Sequence, residues 1–232
     1  MTSVAAPPRI GVIGGLGPLA GATFYQRLVE LTPARDDRQH PEVVMISDPR
    51  IPSRLDHLRG EGPSPVPALQ QVARRLEQQG CDIVVITSFT THAYLREITD
   101  AIDVRVLDGL VALSQTLLSD RVLRPAVAMT TPARSLALID TALRSSGLAP
   151  QYPDDATQDE IQATVESVKQ GAPPDALAER LRVLFHREWT NGSDAVVVGC
   201  TDLSALRVRD IGTAYDAATV LAGATLREVG VL

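Results

Sequence analysis

The chain alternates short apolar runs with longer stretches in which apolar residues recur at helical spacing. Residues 10–13 and 83–86 are apolar throughout, as expected for strands of a parallel sheet that helices cover on both faces. Residues 19–31 and 66–79 carry the helical spacing, and residues 42–46 predict a further strand. An alternation of strands and helices predicts βαβ units and therefore an α/β fold.

The second half of the chain repeats the order of the first half. A shift of 112 residues places Gly80, Asp82, Val84, Val85 and Ser88 on Gly192, Asp194, Val196, Val197 and Cys200. The repeat predicts two pseudo-symmetric lobes, each a parallel β-sheet flanked by helices, with a cleft between them. We expect residues 1–105 to form the first lobe, completed by a C-terminal helix at residues 210–232. Residues 106–209 are expected to form the second lobe.

Composition narrows the classes of protein to which the chain can belong. Of its 232 residues 44% are hydrophobic and 22% are charged, which is ordinary for a globular protein. A formal net charge of -6 offers no basic surface, so we expect no nucleic-acid partner. No apolar run approaches the roughly 20 residues of a spanning helix, so we expect no membrane association and a cytoplasmic location. Two cysteines predict neither a disulfide framework nor a structural zinc site.

The two cysteines occupy different ends of their predicted strands. Cys200 follows the apolar run 196–198 and Gly199, so it stands at the carboxyl end of a strand, where parallel α/β sheets bind ligands. A helix N-terminus after Cys200 would favour its thiolate. Ser88 occupies the equivalent position in the first half. Cys81 stands at the entrance of its strand, which favours a packing role.

The glycine-rich stretch after the first strand has three interpretations. Gly14, Gly15 and Gly17 allow backbone N–H groups to approach an anion, such as a substrate carboxylate, at a helix N-terminus. A dinucleotide fingerprint is an alternative, but it expects an acid about 20 residues later, whereas Asp48 comes later and beside Pro49. Tight-turn geometry alone is the third interpretation.

Three motifs resemble those of the cofactor-independent aspartate/glutamate racemases. They are IGVIGGLGP at residues 10–18, IPSR at residues 51–54 and GCTDL at residues 199–203. The resemblance implies two lobes, no pyridoxal phosphate or metal cofactor, a small carboxylate or amino-acid substrate, and a homodimer. It also implies that one cysteine from each lobe exchanges protons with the α-carbon of the substrate.

Carrying the resemblance over residue by residue makes Cys200 and Ser88 the candidate catalytic residues. Cys200 matches the cysteine of the second lobe, whereas Ser88 stands where the first lobe is expected to have a cysteine. Arg54 and Lys169 match ligands of the distal carboxylate, and Thr201 matches a donor near the α-carboxylate. Together with the strand-end positions, the resemblance proposes the substrate-binding residues Gly15, Leu16, Arg54, Phe89, Thr90, Thr91, Thr131, Lys169 and Thr201.

The replacement of a cysteine by Ser88 leaves the reaction open. A serine hydroxyl is a far weaker base than a thiol, so two-base racemisation does not follow from the motifs. His92, four residues later, is a candidate activator of Ser88 or a locally packed residue, and Arg134 is either a surface charge or a second anion contact. The sequence predicts a racemase-like isomerase that uses the single thiol of Cys200. A single-cysteine decarboxylase or lyase, and a non-catalytic ligand-binding homologue, are the alternatives.

Overall fold

The computed structural model describes residues 8–187, 190–208 and 212–232. Its strands are β1 (Arg9–Gly14), β2 (Glu42–Ser47), β3 (Ile83–Ile86), β4 (Arg105–Leu107), β5 (Pro125–Ala128), β6 (Ala195–Val198) and β7 (Ala214–Asp216). Its helices are α1 (Pro18–Leu31), α2 (Arg54–Leu58), α3 (Val66–Gln78), α4 (Leu95–Thr99), α5 (Gly109–Ser119), α6 (Thr131–Ser135), α7 (Leu138–Ser145), α8 (Asp155–Lys169), α9 (Pro174–Phe185), α10 (Thr201–Ser204) and α11 (Ala217–Glu228). Short 3₁₀ turns lie at Asp37–Gln39 and Phe89–Tyr94.

The strands form two parallel sheets, which confirms the predicted α/β fold. The first sheet has the order β2-β1-β3-β4, and the second has the order β5-β6-β7. An isolated parallel bridge between Ala126 and Gln151 extends the second sheet beyond β5, at the place that β2 takes in the first. Every residue of β3 and β6 is buried, as their unbroken apolar sequences predict.

Helices cover both faces of each sheet, because the central strands β3 and β6 are apolar on both faces. In the first sheet, α3 packs against one face, and α1 with α11 packs against the other. In the second sheet, α8 and α9 cover one face, and α5 with α7 covers the other. The helices leave the carboxyl ends of the central strands open. The loops that follow these strands lie at that edge of each sheet.

The internal repeat of the sequence corresponds to a repeated hydrogen-bond pattern. In the first sheet, Asp82 accepts a hydrogen bond from the backbone N–H of Arg9 at 2.7 Å. In the second sheet, Asp194 accepts one from the backbone N–H of Arg124 at 2.8 Å. Each aspartate also donates its own N–H to the carbonyl of the same arginine. The same residue types therefore join the two central strands of each sheet at their amino ends.

Two details differ from the predicted lobe limits. The predicted boundary after residue 105 falls inside β4, which pairs with β3 of the first sheet. The segment predicted as a helix from residue 210 contains β7, which pairs with β6, and the helix begins only at Ala217 after the capping residue Asp216. A three-residue strand gives too little apolar alternation to be recognised. The helices α5 and α11 contribute residues to the cores beside both sheets, so we propose that they form the junction of the lobes.

Candidate active site

A cavity of about 280 Å³ lies where the carboxyl ends of the two sheets meet. Its walls come from the segments that follow β1, β3, β5 and β6, and from α2, α7 and α8. This is the position at which parallel α/β sheets present ligand sites. The candidate residues that line the cavity are Leu16, Arg54, Ser88, Phe89, Thr90, Lys169, Cys200 and Thr201.

Cys200 reaches the cavity from the carboxyl end of β6. It is a free, partly exposed cysteine and precedes the four-residue helix α10. Burial, together with the nearby carboxylate of Asp202, raises the pKa of the thiol to about 11, although the backbone N–H groups of Leu203 and Asp202 act in the opposite direction. The expected stabilisation of a thiolate by the helix N-terminus is therefore outweighed. Cys200 is therefore a protonated thiol at neutral pH.

Ser88 reaches the same cavity from the carboxyl end of β3. Its hydroxyl lies 2.9 Å from the hydroxyl of Thr90, and both residues line the cavity. A serine paired with a threonine gains no general base, so this pair can serve as a set of hydrogen-bond donors. The two lobes thus present a thiol and a pair of hydroxyls to one cavity.

His92 does not activate the Ser88 hydroxyl. Its Nε2 accepts a hydrogen bond from the backbone N–H of Gly109 at 2.9 Å, and its Nδ1 lies 3.1 Å from the carbonyl oxygen of Ser88. These partners define a neutral imidazole that donates from Nδ1. Burial lowers the pKa of His92, which favours the same neutral form. The residue packs the 3₁₀ turn against the start of α5.

Arg54 brings a positive charge to the wall of the cavity. The residue opens α2, whose N-cap is Ser53. Its guanidinium donates to the carbonyl oxygens of Pro52 at 3.2 Å and Leu16 at 3.0 Å, whereas its buried Nε has no partner. Burial lowers the pKa of this side chain, but arginine stays charged. Among the described residues no carboxylate forms an ion pair with Arg54, so the site offers a cation to an anionic ligand.

Lys169 reaches the cavity from the last residue of α8. Its Nζ lies 3.6 Å from Oδ2 of Asp202, a residue that also lines the cavity. The lysine side chain is 59% exposed, whereas that of Asp202 is 14% exposed. A ligand carboxylate that reached Lys169 would therefore lie beside the negative charge of Asp202.

The glycine-rich stretch forms a tight loop between β1 and α1. Gly15 has φ of +80° and packs against the backbone of Asp48. The carboxylate of Asp48, the acid considered for the dinucleotide fingerprint, already forms an ion pair with the guanidinium of Arg50 at 2.9 Å. Gly15 itself does not line the cavity, whereas the adjacent Leu16 does. The geometry favours the tight-turn interpretation of Gly15.

Three further candidates lie away from the cavity wall. Thr91 is fully buried, and its hydroxyl has no hydrogen-bond partner. Thr131 is occupied by two glutamines of α8, because its N–H donates to Gln162 and its hydroxyl accepts from Gln158. The guanidinium of Arg134 stacks over the ring of Tyr152 and donates to the carbonyl of Pro153. Neighbours of these residues, and not the residues themselves, line the cavity.

Sequence reasoning missed several polar and apolar residues of the cavity wall. Asp202 follows the GCT motif directly, so its proximity to Cys200 was available from the sequence. Gln162 of α8 and Thr130 after β5 had no comparable signal, because only the packing of α8 against α6 brings them together. The apolar wall residues that were also missed are Leu55, Pro132, Ala133, Leu138 and Ile139.

The described residues were compared with the requirements of a metal site and of a membrane-spanning helix. In the described parts of the chain, no three histidine, cysteine, aspartate or glutamate residues are grouped so that they could hold a metal ion. Within the same residues, no helix has the length and apolar character needed to cross a bilayer.

A comparison with known families identifies the family of this chain. The model of the Asp/Glu/hydantoin racemase family matches residues 13–225, which include both strand ends that line the cavity. The chain belongs to this family. The resemblance seen in the three sequence motifs is therefore confirmed.

Individual relatives extend the comparison. The broad specificity amino-acid racemase RacX of Bacillus subtilis is 23% identical over 206 residues, which cover 85% of this chain and 86% of RacX. Among solved structures, the aspartate racemase of Picrophilus torridus superimposes with a TM-score of 0.85 at 24% identity and covers 96% of this chain and 94% of its own. Arylmalonate decarboxylase gives a TM-score of 0.59 at 17% identity, with 96% and 93% coverage. The two-lobed fold is thus shared with both of these proteins.

Proposed function

We propose that this protein is a cofactor-independent amino-acid racemase or isomerase that moves a proton at the α-carbon of a small acidic amino acid. The proposal is carried by one observation: the Cys200 thiol shares a cavity with the partly buried guanidinium of Arg54. Among the described residues this guanidinium has no carboxylate partner, and its buried Nε has no hydrogen-bond partner. A thiol that exchanges protons and a cation that holds a carboxylate are the groups that this chemistry requires. Family membership and the names of the relatives support the same reaction.

In the proposed reaction the substrate carboxylate lies on Arg54, and the α-carbon faces the sulfur of Cys200. The Cys200 thiol first loses its proton to water. The resulting thiolate takes the α-proton, and the electron pair of the C–H bond moves into an enolate. The hydroxyls of Ser88, Thr90 and Thr201 donate hydrogen bonds to the enolate or to the adjacent carboxylate. The Ser88 hydroxyl donates a proton to the opposite face and regains one from water, which gives the other enantiomer. Alternatively, the Cys200 thiol exchanges its proton with water and returns the solvent proton to the same face, which regenerates the substrate with a solvent proton.

Exchange of the α-proton with solvent tests the proposal directly. The wild-type protein is incubated in heavy water with aspartate or glutamate, and deuterium at the α-carbon is followed by mass spectrometry. We expect incorporation that Cys200→Ala abolishes while the melting temperature stays close to that of the wild type. Cys81→Ala is the matched control, because Cys81 is 3% exposed and packs in the core beside α3. Exchange that persists in Cys200→Ala would contradict the proposal.

A decarboxylase is the second candidate, and the raised pKa of Cys200 favours it. Decarboxylation breaks the bond from the α-carbon to a carboxylate, releases carbon dioxide and leaves an enolate, which a protonated thiol can then protonate. This reaction needs a proton donor and no base. Incubation with a substituted malonate, followed by measurement of released carbon dioxide, separates it from racemisation. Binding of an acid without exchange or release would indicate a non-catalytic homologue.

We further propose that the protein works as a cytoplasmic homodimer on small, soluble substrates. The family resemblance in the sequence motifs supports the dimer. Light scattering coupled to size-exclusion chromatography tests the assembly, and a mass equal to one chain would contradict it. Fractionation of cells that produce the protein tests its location.

A further inference from the structure

Two charged side chains of the cavity wall lack a partner of the kind that they can bind. Arg54, Lys169 and Asp202 are its charged lining residues among the described ones. The guanidinium of Arg54 contacts carbonyl oxygens and lacks a carboxylate. The carboxylate of Asp202, in turn, receives no hydrogen bond from any described residue, and its ion-pair partner is Lys169 at 3.6 Å. The cavity therefore offers one cation without an anion and one anion without a hydrogen-bond donor.

The carboxylate of Asp202 is mostly shielded by protein and borders the cavity. Its side chain is 14% exposed, and a distance of 3.6 Å to Lys169 is longer than a charge-assisted hydrogen bond. An enclosed carboxylate without donors costs free energy, because burial removes water that is not replaced. The lysine, which is 59% exposed, is largely hydrated by solvent and contributes little compensation. The carboxylate of Asp202 can therefore accept hydrogen bonds from a donor group of a ligand that enters the cavity.

We propose that Asp202 accepts hydrogen bonds from the α-ammonium group of the substrate and thereby selects α-amino acids over carboxylic acids that lack an amino group. This inference rests on the proposed function, since it assigns a ligand group to the same cavity. Asp202 lies two residues after Cys200 and lines the same cavity, so an ammonium group on Asp202 and an α-carbon at the thiol can belong to one ligand. Its Oδ1 faces the loop at Gly17, where even an added Cβ would lie 3.6 Å away.

The same contact favours ionisation of the Cys200 thiol. Burial is the larger cause of the raised pKa of Cys200, and the negative charge of Asp202 adds to it. An ammonium group bound to Asp202 neutralises that charge and so lowers the pKa of the thiol when substrate is present. A substrate without an amino group leaves the negative charge of Asp202 beside the thiol. Selection of the substrate and activation of the thiol would then depend on one carboxylate.

Two other roles for Asp202 make different predictions. If Asp202 only orients Lys169, removal of either partner has the same effect on binding. If Asp202 only complements the positive end of α1, which begins at Pro18 beside it, its removal lowers the melting temperature and leaves ligand preference unchanged. Neither role distinguishes an amino acid from its deaminated counterpart.

The experiment measures binding and does not depend on turnover. Calorimetry determines the affinities of DL-aspartate and succinate, and of DL-glutamate and glutarate, for the wild type, Asp202→Asn and Lys169→Gln. Racemic amino acids are used because racemisation does not change their composition. We expect the wild type to bind each amino acid about 10- to 100-fold more tightly than the matching diacid, as for a hydrogen bond between charged groups. Asp202→Asn should remove this preference, and Lys169→Gln should retain it.

The outcomes separate this inference from the proposed function. Equal affinities of the wild type for an amino acid and its diacid, or no binding of either amino acid, overturn the inference. Equal loss of preference in Asp202→Asn and Lys169→Gln also overturns it and assigns Asp202 to orienting the lysine. A preference that depends on Asp202 supports it even if no α-proton exchange occurs, in which case the proposed function alone fails. Circular dichroism and melting temperature confirm that each variant is folded.

Discussion

A Cβ atom on Gly15 would lie 2.4 Å from the backbone nitrogen of Asp48. The loop after β1 therefore packs directly against the end of β2, and Gly15 adopts φ of +80°, which side chains other than glycine rarely take. The carbonyl oxygen of the next residue, Leu16, accepts the hydrogen bond from Arg54. The position of the guanidinium in the cavity thus depends on a backbone contact that only glycine permits.

Substitution of Gly15 by alanine tests this contact. We expect Gly15→Ala to lower the free energy of unfolding by about 3 kcal/mol or more, because strained backbone and a backbone clash add together. Gly60→Ala is the matched control, since Gly60 has φ of +77° and nothing within 4 Å of an added Cβ. It should cost about 1 kcal/mol. Urea denaturation measures both, and equal losses in the two variants would contradict the argument from Asp48.

The fold was predictable because the central strand of each sheet is short and apolar, and because the same pattern occurs in both halves of the chain. The strand β3 has the bounds that its apolar sequence predicts, and β6 begins 112 residues later, as the repeat requires. The repeat also placed Ser88 and Cys200 at equivalent strand ends. Local patterns of this kind predict the central strands correctly, because both faces of a central parallel strand must be apolar.

The parts of the site that escaped prediction depend on contacts between distant segments. Thr131 follows a strand, but its N–H and its hydroxyl are hydrogen-bonded to two glutamines of α8. No sequence pattern near Thr131 predicts these contacts. Thr91 follows Thr90 in the sequence, yet the 3₁₀ turn directs it into the core. The tight geometry of that turn decides which of the two threonines meets the cavity, and the sequence does not specify it.

The protonation state of Cys200 gives a prediction that does not require a substrate. Its pKa of about 11 means that at pH 8.5 only a small part of the thiol is ionised, whereas a free cysteine is about half ionised. We expect alkylation by iodoacetamide at this pH to be on the order of 100-fold slower than for free cysteine. The rate should still rise between pH 9 and about pH 10, where that of free cysteine levels off.

The second free cysteine supplies the control for this measurement. Cys81 is buried, and burial raises the pKa of its thiol as well, so the experiment uses the Cys81→Ala background. Mass spectrometry of the alkylated peptide identifies the modified residue. A rate that levels off near pH 9 would show that the thiol of Cys200 is not perturbed by its surroundings.

Loss of the positive charge at Arg54 should weaken acid binding without regard to the amino group. We expect Arg54→Gln to lower the affinities for DL-aspartate and succinate alike, each by about 10- to 100-fold, because both lose one charged hydrogen-bonding partner. Arg50→Gln is the matched control, since Arg50 is 87% exposed and its guanidinium binds Asp48. Calorimetry measures the affinities. A similar loss in Arg50→Gln would show that the effect is general electrostatic attraction and not contact in the cavity.

A second thiol at residue 88 should raise the rate of interconversion of aspartate enantiomers. The Ser88 hydroxyl lies on the face of the cavity contributed by β3, and its partner Thr90 gives it no basic character. A cysteine there supplies a group whose reference pKa is about 8.5, several units below that of an alcohol, so it can take or return the α-proton on its own face. We expect Ser88→Cys to increase racemisation at least about tenfold, as positioned proton transfer commonly does. Chiral chromatography follows both directions, and Ser88→Ala, which removes the hydroxyl without adding a thiol, separates this gain from relief of crowding. If Ser88→Cys leaves racemisation unchanged while Cys200→Ala still abolishes solvent exchange, the protein uses one thiol for an exchange or decarboxylation that has no second proton donor.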